Sequence, residues 1–195
     1  MIAAIIITLF VTTGAAKNQN ALAEKLIRLH VVAASDSDAD QTLKLRVRDA
    51  VLGALGEQLD GVNDAEAARS VISDNFDTIE ATALEEIYAS GFDYDVTVSL
   101  RVEDFPTREY ETFSLPTGQY TALRVVIGEG NGKNWWCVVF PPLCTDLAGT
   151  SSSEAFSLLD DDEIKLITEQ EGYVVRFKCI ELLNSIKMWR SATNK

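Results

Sequence analysis

Residues Leu26–Val51 read LIRLHVVAASDSDADQTLKLRVRDAV, a stretch that predicts a β-strand leading directly into an amphipathic helix. The first part, Leu26–Ala34, is rich in β-branched and apolar residues, and strand alternation places Arg28 and His30 together on one face. A Ser-Asp turn follows. From about Ala39 apolar residues recur every three and four positions, which is typical of a helix that buries one stripe.

Further helix and strand patterns extend this unit and indicate the fold class. They are a helix from about Asp64 to Ala89, strands over Tyr94–Val102 and Thr107–Leu115, a hairpin of Tyr120–Ile127 and Asn134–Phe140 around a Gly/Asn turn, and a helix over Tyr173–Trp189. Strands clustered after two helices predict an α+β fold. We expect a largely antiparallel sheet of about five strands, with helices packed on one face and an added C-terminal helix.

The N-terminal segment Ile2–Ala16 contains no charged residue and predicts export. At ~1.5 Å per residue it is too short to cross a ~30 Å hydrocarbon core comfortably, but it has the length of a signal-peptide core. Small residues follow it, although no basic residue precedes it. We predict a signal peptide or short membrane-targeting segment over 1–23 and a single α+β domain over 24–195. An uncleaved anchor and a buried core element are the alternatives.

The net charge of −13 argues against nucleic acid as a partner, because a phosphate backbone would be repelled. The segment Gly172–Lys195 differs, with five basic residues and one acidic residue. This basic C-terminal helix could make peripheral contact with an anionic membrane. Alternatively, its cations complement the dipole at the end of the helix.

Residues suited to catalysis or metal binding are scarce. His30 is the single histidine, so an exported hydrolase would have to combine it with Ser35 or Cys137. No Cys-x-x-Cys or His-x-x-x-His pair occurs, and the acidic stretch Asp36–Asp40 lacks the glycine and terminal glutamate of a calcium loop. We therefore predict no catalytic residues, no metal and no cofactor.

The three cysteines permit three alternative single disulfides in an exported chain. Cys137 and Cys144 form the candidate pair, because Pro141-Pro142 between them can reverse the chain and bring their Cα atoms within bonding distance. Cys179 is the third cysteine.

The segment Asn134–Cys144 reads NWWCVVFPPLC and is bulky and apolar on both faces of a strand. One interpretation is a central strand that is buried on both sides. The other is that one tryptophan and the Pro-Pro corner form a docking patch, since tryptophans are frequent binding anchors.

These two strings, Ile27–Val51 and Asn134–Cys144, resemble stage II sporulation protein R of endospore-forming bacteria, and the resemblance covers nearly the whole chain after the signal segment. It implies a protein that is secreted from the forespore into the space between the forespore and mother-cell membranes. There it would activate a membrane-embedded aspartic peptidase that removes the pro-segment of the sigma-E precursor. The family implies no catalytic residues.

We therefore expect an exported, non-enzymatic signalling protein, with the hydrolase as the alternative. The candidate contacts with the peptidase are Trp136, Phe140 and Pro142, followed by the strand face of Arg28 and His30.

Overall fold

The computed structural model describes residues 19–143 and 156–168. The helices are α1 (residues 19–25), α2 (Asp38–Gln58), α3 (Ala65–Asp74), α4 (Phe76–Ala89) and α5 (Asp161–Thr168). The strands are β1 (Ile27–Val32), β2 (Val96–Phe105), β3 (Arg108–Glu109), β4 (Ser114–Leu115), β5 (Gly118–Ile127) and β6 (Asn134–Phe140). The α+β class is as predicted.

The chain forms two compact units. The larger contains the described residues 24–103, 120–143 and 156–158, and the smaller contains the described residues 19–23, 104–119 and 159–168. The single domain over 24–195 stays a prediction, because parts of that range lie outside the described residues. The signal segment over 1–23 also stays a prediction, because residues 1–18 lie outside the described residues. The predicted helix over Tyr173–Trp189 lies outside them as well.

The strand–helix unit at the start of the larger part forms as predicted. Ser37 caps α2, with its hydroxyl accepting a hydrogen bond from the Asp40 backbone N–H at 3.1 Å. Asp38 and Asp40 occupy the first turn, where carboxylates favour the positive end of the helix dipole. The apolar stripe of α2 is buried, and it includes Leu43, Val47, Val51 and Leu55.

The single helix predicted from about Asp64 to Ala89 is instead two helices, α3 and α4, that meet at Asn75. The Asn75 side-chain amide donates to the Val71 carbonyl oxygen at 2.8 Å. An asparagine that bonds locally to the backbone competes with the helical ladder, and this contact occupies the Val71 carbonyl at the junction. Apolar periodicity continues across the break, so the pattern alone could not reveal it.

The sheet differs from the prediction in two respects. It has four strands in the order β2-β5-β1-β6, and it is mixed, because β1 pairs parallel with β5 and antiparallel with β6. The range Thr107–Leu115 supplies β3 and β4, which form a separate two-stranded pair.

The predicted hairpin of β5 and β6 is wrong, because β1 lies between these two strands. Their connection steps over the end of β1, where the N–H of Gly132 donates to the Ala33 carbonyl at 2.9 Å and that of Asn131 to the Ala34 carbonyl at 3.2 Å. A Cβ atom on Gly132 would clash with the Ser35 carbonyl oxygen. The Gly/Asn signal therefore marks a crossing over a strand rather than a tight turn.

The two faces of the sheet have different surroundings. One face packs with α2, α3 and α4 in a continuous apolar core, to which the sheet contributes Leu29, Val31, Leu123, Val125, Cys137 and Val139. Alternation along each strand turns a second set of residues to the opposite face. That face carries the charged and aromatic groups described next.

Candidate functional site

A row of polar and aromatic side chains crosses the sheet face opposite the helices. We call it the His30 row, and its members are Arg101 and Glu103 of β2, Arg124 of β5, His30 of β1, and Asn134 and Trp136 of β6. Strand register brings them together, because His30 lies opposite Arg124 on one side and Trp136 on the other. All four strands of the sheet contribute to this row.

His30 forms the centre of the row and is only 4% exposed. Its Nδ1 lies 2.6 Å from Glu103 Oε2, and its Nε2 lies 2.8 Å from Asn134 Oδ1. The Trp136 ring stacks on the imidazole with 4.0 Å between ring centres and 16° between planes. A carboxylate accepts only, so Nδ1 donates to Glu103 when it carries a proton, and Arg124 Nη1 lies 3.1 Å from the same nitrogen. The ring is thus held at both nitrogens and on one face.

Glu103 is the carboxylate that the other charged groups of the row contact. Its side chain is 11% exposed, and Oε1 accepts from Arg101 Nε at 2.6 Å and lies 3.4 Å from Arg124 Nη1. Burial by itself would raise the pKa of Glu103, but hydrogen bonds from His30 and Arg101, together with their charges, outweigh it and leave the pKa lowered. Glu103 is therefore a carboxylate at neutral pH.

Arg28, the second member of the predicted strand face, is fully buried. Its guanidinium carbon lies 5.0 Å from the centre of the Tyr120 ring, which is a cation–π distance. The Arg28 and His30 face is therefore not a solvated surface.

The remaining candidate contacts lie in different environments. Trp136 and Pro142 are half-buried, whereas Phe140 is 2% exposed and belongs to the apolar core. Phe140 therefore has almost no surface available to a partner in this fold. Trp135 is 36% exposed, and its ring lies 4.5 Å from the guanidinium carbon of Arg48. Partner contact through any of these residues stays a prediction.

Cys137 is buried and disulfide-bonded. Cys144 and Cys179 both lie outside the described residues. The specific pair Cys137–Cys144 therefore stays a prediction.

A second polar cluster lies at the start of α2. The Ser35 hydroxyl donates to the Asp40 carboxylate, and Asp36 Oδ1 accepts the Lys133 backbone N–H at 2.8 Å. Lys44 Nζ donates to the Lys133 carbonyl oxygen at 3.1 Å, and burial lowers the pKa of Lys44 although Asp36 opposes this effect. These bonds tie the crossing between β5 and β6 to the Ser-Asp turn, so the cluster has a structural role.

The residues that the hydrolase alternative requires are not assembled as a catalytic pair. Both His30 nitrogens are engaged by Glu103 and Asn134, and Ser35 donates to Asp40. Cys137 pairs in register with Leu29 and belongs to the helix-side core, on the other face of the sheet from His30. In the described ranges no group of three or more His, Cys, Asp or Glu residues could hold a metal ion.

Four members of the His30 row were missed from sequence: Arg101, Glu103, Arg124 and Asn134. Arg124 was detectable as the lone charged residue of strand β5. Arg101 looked like an ordinary solvated residue on the polar side of the predicted strand Tyr94–Val102, and Glu103 lies just beyond that strand. The histidine that pairs with Glu103 lies far away in the chain, since 73 residues separate His30 from Glu103.

Across residues 19–143 and 156–168, no helix is both long enough and apolar enough to cross a membrane.

Comparison with known proteins gives a family match. The model of the family described as Stage II sporulation protein R matches residues 23–148, a range that contains the whole His30 row. Stage II sporulation protein R of Bacillus subtilis (strain 168) is 38% identical over 140 residues, which are 72% of this chain and 62% of that protein. The match thus spans less than two thirds of the relative's length. No solved structure matches.

Proposed function

Because this chain belongs to the stage II sporulation protein R family, we propose that it is an exported signalling protein that activates a membrane-embedded aspartic peptidase to process the sigma-E precursor. It acts in the space between the forespore and mother-cell membranes, and the N-terminal apolar segment directs it there. The protein is the activating ligand, and the peptidase performs the cleavage.

The observation that supports this proposal is how the His30 row uses its polar groups. The imidazole and the Glu103 carboxylate bond to one another and to their neighbours. The hydrolase alternative needs Ser35 or Cys137 hydrogen-bonded to His30, but Ser35 donates to Asp40 and Cys137 lies in the core on the other face of the sheet. The same contacts hold Trp136 in one orientation on a rigid sheet. A preorganised, partly exposed aromatic residue is suited to anchoring a partner.

The hydrolase alternative makes a different prediction about the same residues. It requires His30 to take a proton from Ser35 or Cys137, so a variant lacking the imidazole would lose function even if the fold survived. In the signalling proposal His30 positions Trp136 and performs no chemistry. A His30→Gln variant that keeps the fold should therefore retain activation, reduced only by the loss of the ring that stacks on Trp136.

The proposal is tested by adding the exported chain to membranes that carry the peptidase and measuring cleavage of the sigma-E precursor. We expect Trp136→Ala to abolish processing while the chain remains folded. Loss of a binding anchor costs about 2 kcal/mol or more, which is roughly a 30-fold loss of affinity.

Trp135→Ala is the matched control, because it removes the same side chain one position away, on the other face of the strand. We expect it to leave processing near the wild-type rate. Cooperative thermal unfolding of both variants shows that they fold. Normal processing by Trp136→Ala would remove this residue from the docking surface, and no processing by the wild-type chain would contradict the proposed function.

A further inference from the structure

The His30 row is buried in the middle and partly open at both ends. His30 and Glu103 are covered, while Arg101 at the β2 end is 53% exposed and Trp136 at the β6 end is half-buried. Arg101 is anchored through Nε, which donates to Glu103 Oε1 at 2.6 Å. Among the described residues no hydrogen bond reaches its two terminal nitrogens. The sheet thus holds a guanidinium group by one edge and leaves the other edge available.

From this geometry we propose that Arg101 binds a carboxylate on an extended acidic segment of the peptidase, while Trp136 receives an apolar residue of the same segment. This inference rests on the proposed function and names the chemistry of its partner. The planar guanidinium matches a carboxylate with two parallel hydrogen bonds.

Spacing sets the pattern of the partner segment. Arg101 and Trp136 lie on the two outer strands of the β2-β5-β1-β6 order, three strand spacings apart. At ~4.8 Å per spacing this is roughly 14 Å across the strands, and any offset along the strands adds to it, so an extended chain needs at least about four residues. The partner segment should therefore carry an acidic residue and a large apolar residue at least about four positions apart.

Charge complementarity favours an acidic partner at this place. The chain has a net charge of −13, so an acidic segment is repelled by most of its surface. Arg101 and Arg124 bring two cations to the single carboxylate of Glu103, which leaves the row locally positive. This local positive charge would therefore fix the position at which an acidic segment binds on the sheet. An anionic bilayer would meet the chain's net charge of −13 over a broad area, so a carboxylate on a narrow protein segment is the better ligand.

The test is co-sedimentation of the exported chain with membranes that contain the peptidase and with matched membranes that lack it. We expect Arg101→Gln to raise the concentration for half-maximal binding by on the order of tenfold, because one charge-assisted pair is lost. Arg101→Lys should fall in between, since it keeps the charge without the planar fork. Raising the salt concentration should reduce the difference in half-maximal binding concentration between wild type and Arg101→Gln, because salt screens the charge pair.

Arg46→Gln is the matched control, because it removes one exposed arginine from α2 and should leave binding unchanged. Equal binding by wild type and Arg101→Gln would overturn the inference. Arg101-dependent binding to peptidase-free vesicles of phosphatidylcholine and phosphatidylglycerol would also overturn it, in favour of a lipid phosphate. Peptidase-dependent binding without precursor cleavage would contradict the proposed function and leave the carboxylate site standing.

Discussion

Glu103→Gln is the most direct test of the His30 row, because it removes one charge with almost no change of shape. The carboxylate has three neighbours: His30 at 2.6 Å, Arg101 at 2.6 Å and Arg124 at 3.4 Å. A buried charge-assisted hydrogen bond such as that with His30 contributes about 1.5–3 kcal/mol. The pair with the exposed Arg101 and the long contact with Arg124 add about 0.5 kcal/mol each.

Glutamine keeps one oxygen that can still accept from His30, so the net loss should be smaller than the sum of these terms. We expect Glu103→Gln to lower the free energy of unfolding by about 2 kcal/mol at pH 7, or about 4–8 °C in Tm for a chain of this size. Urea unfolding at fixed temperature gives the first quantity and thermal unfolding the second. Glu85→Gln, on an exposed position of α4, should change stability by less than about 0.5 kcal/mol.

Comparing wild type with Glu103→Gln at different pH values also tests the lowered pKa of Glu103. A carboxyl whose folded pKa lies below its unfolded value, about 4.3, contributes full stability above that value and loses it as the pH falls through the folded pKa. The stability deficit of Glu103→Gln should therefore be greatest at neutral pH and shrink on acidification. A deficit that is absent at pH 7, or that grows as the pH falls, would refute the assignment of Glu103 as an ionised, hydrogen-bonded acid.

Three further substitutions and one truncation test the fold. Gly132→Ala should destabilise the protein by more than about 1 kcal/mol, because the added Cβ would clash with the Ser35 carbonyl where the chain crosses β1. Gly53→Ala, in the interior of α2 with open space around it, should instead stabilise by up to about 1 kcal/mol, and urea unfolding of both variants separates the effects. Leu22→Ala should lower the free energy of unfolding by about 2–5 kcal/mol, because Leu22 is fully buried. For the same reason, a chain that begins at Lys17 should be more stable to urea than one that begins at Glu24. Equal stability of these two chains would show that α1 contributes little to the fold.

Local patterns predicted the elements well. The alternation of β1 and the apolar stripe of α2 are visible in the sequence because side-chain period reports which face of an element is buried. The same patterns missed the break at Asn75, where one side chain competes with the helix. They also predicted a hairpin where the chain crosses β1, since glycine supplies the backbone freedom that either connection requires.

The candidate site was predictable only in part. Trp136 and His30 were selected from their residue types and neighbourhood, and register then places them in contact. Phe140 looked equivalent to Trp136 by alternation, but it packs into the core. The β1–β6 pairing shifts register between Ile27 and Arg28, near the end of the strand where Phe140 lies. Such an irregularity leaves no signal in apolar periodicity.

The sequence by itself determined the family, the α+β class and the chemistry that the chain can draw on, because composition, motif and periodicity are local properties. Only the tertiary structure decided that β1 lies between β5 and β6, and that His30 meets Glu103 and Asn134 across separations of 73 and 104 residues. A strand's alternation states which side chains share a face, whereas hydrogen bonding between distant strands selects the neighbour. This strand pairing buries Arg28 and His30, which looked solvated in the sequence. It also leaves Arg101 and Trp136 as the partly exposed ends of the row.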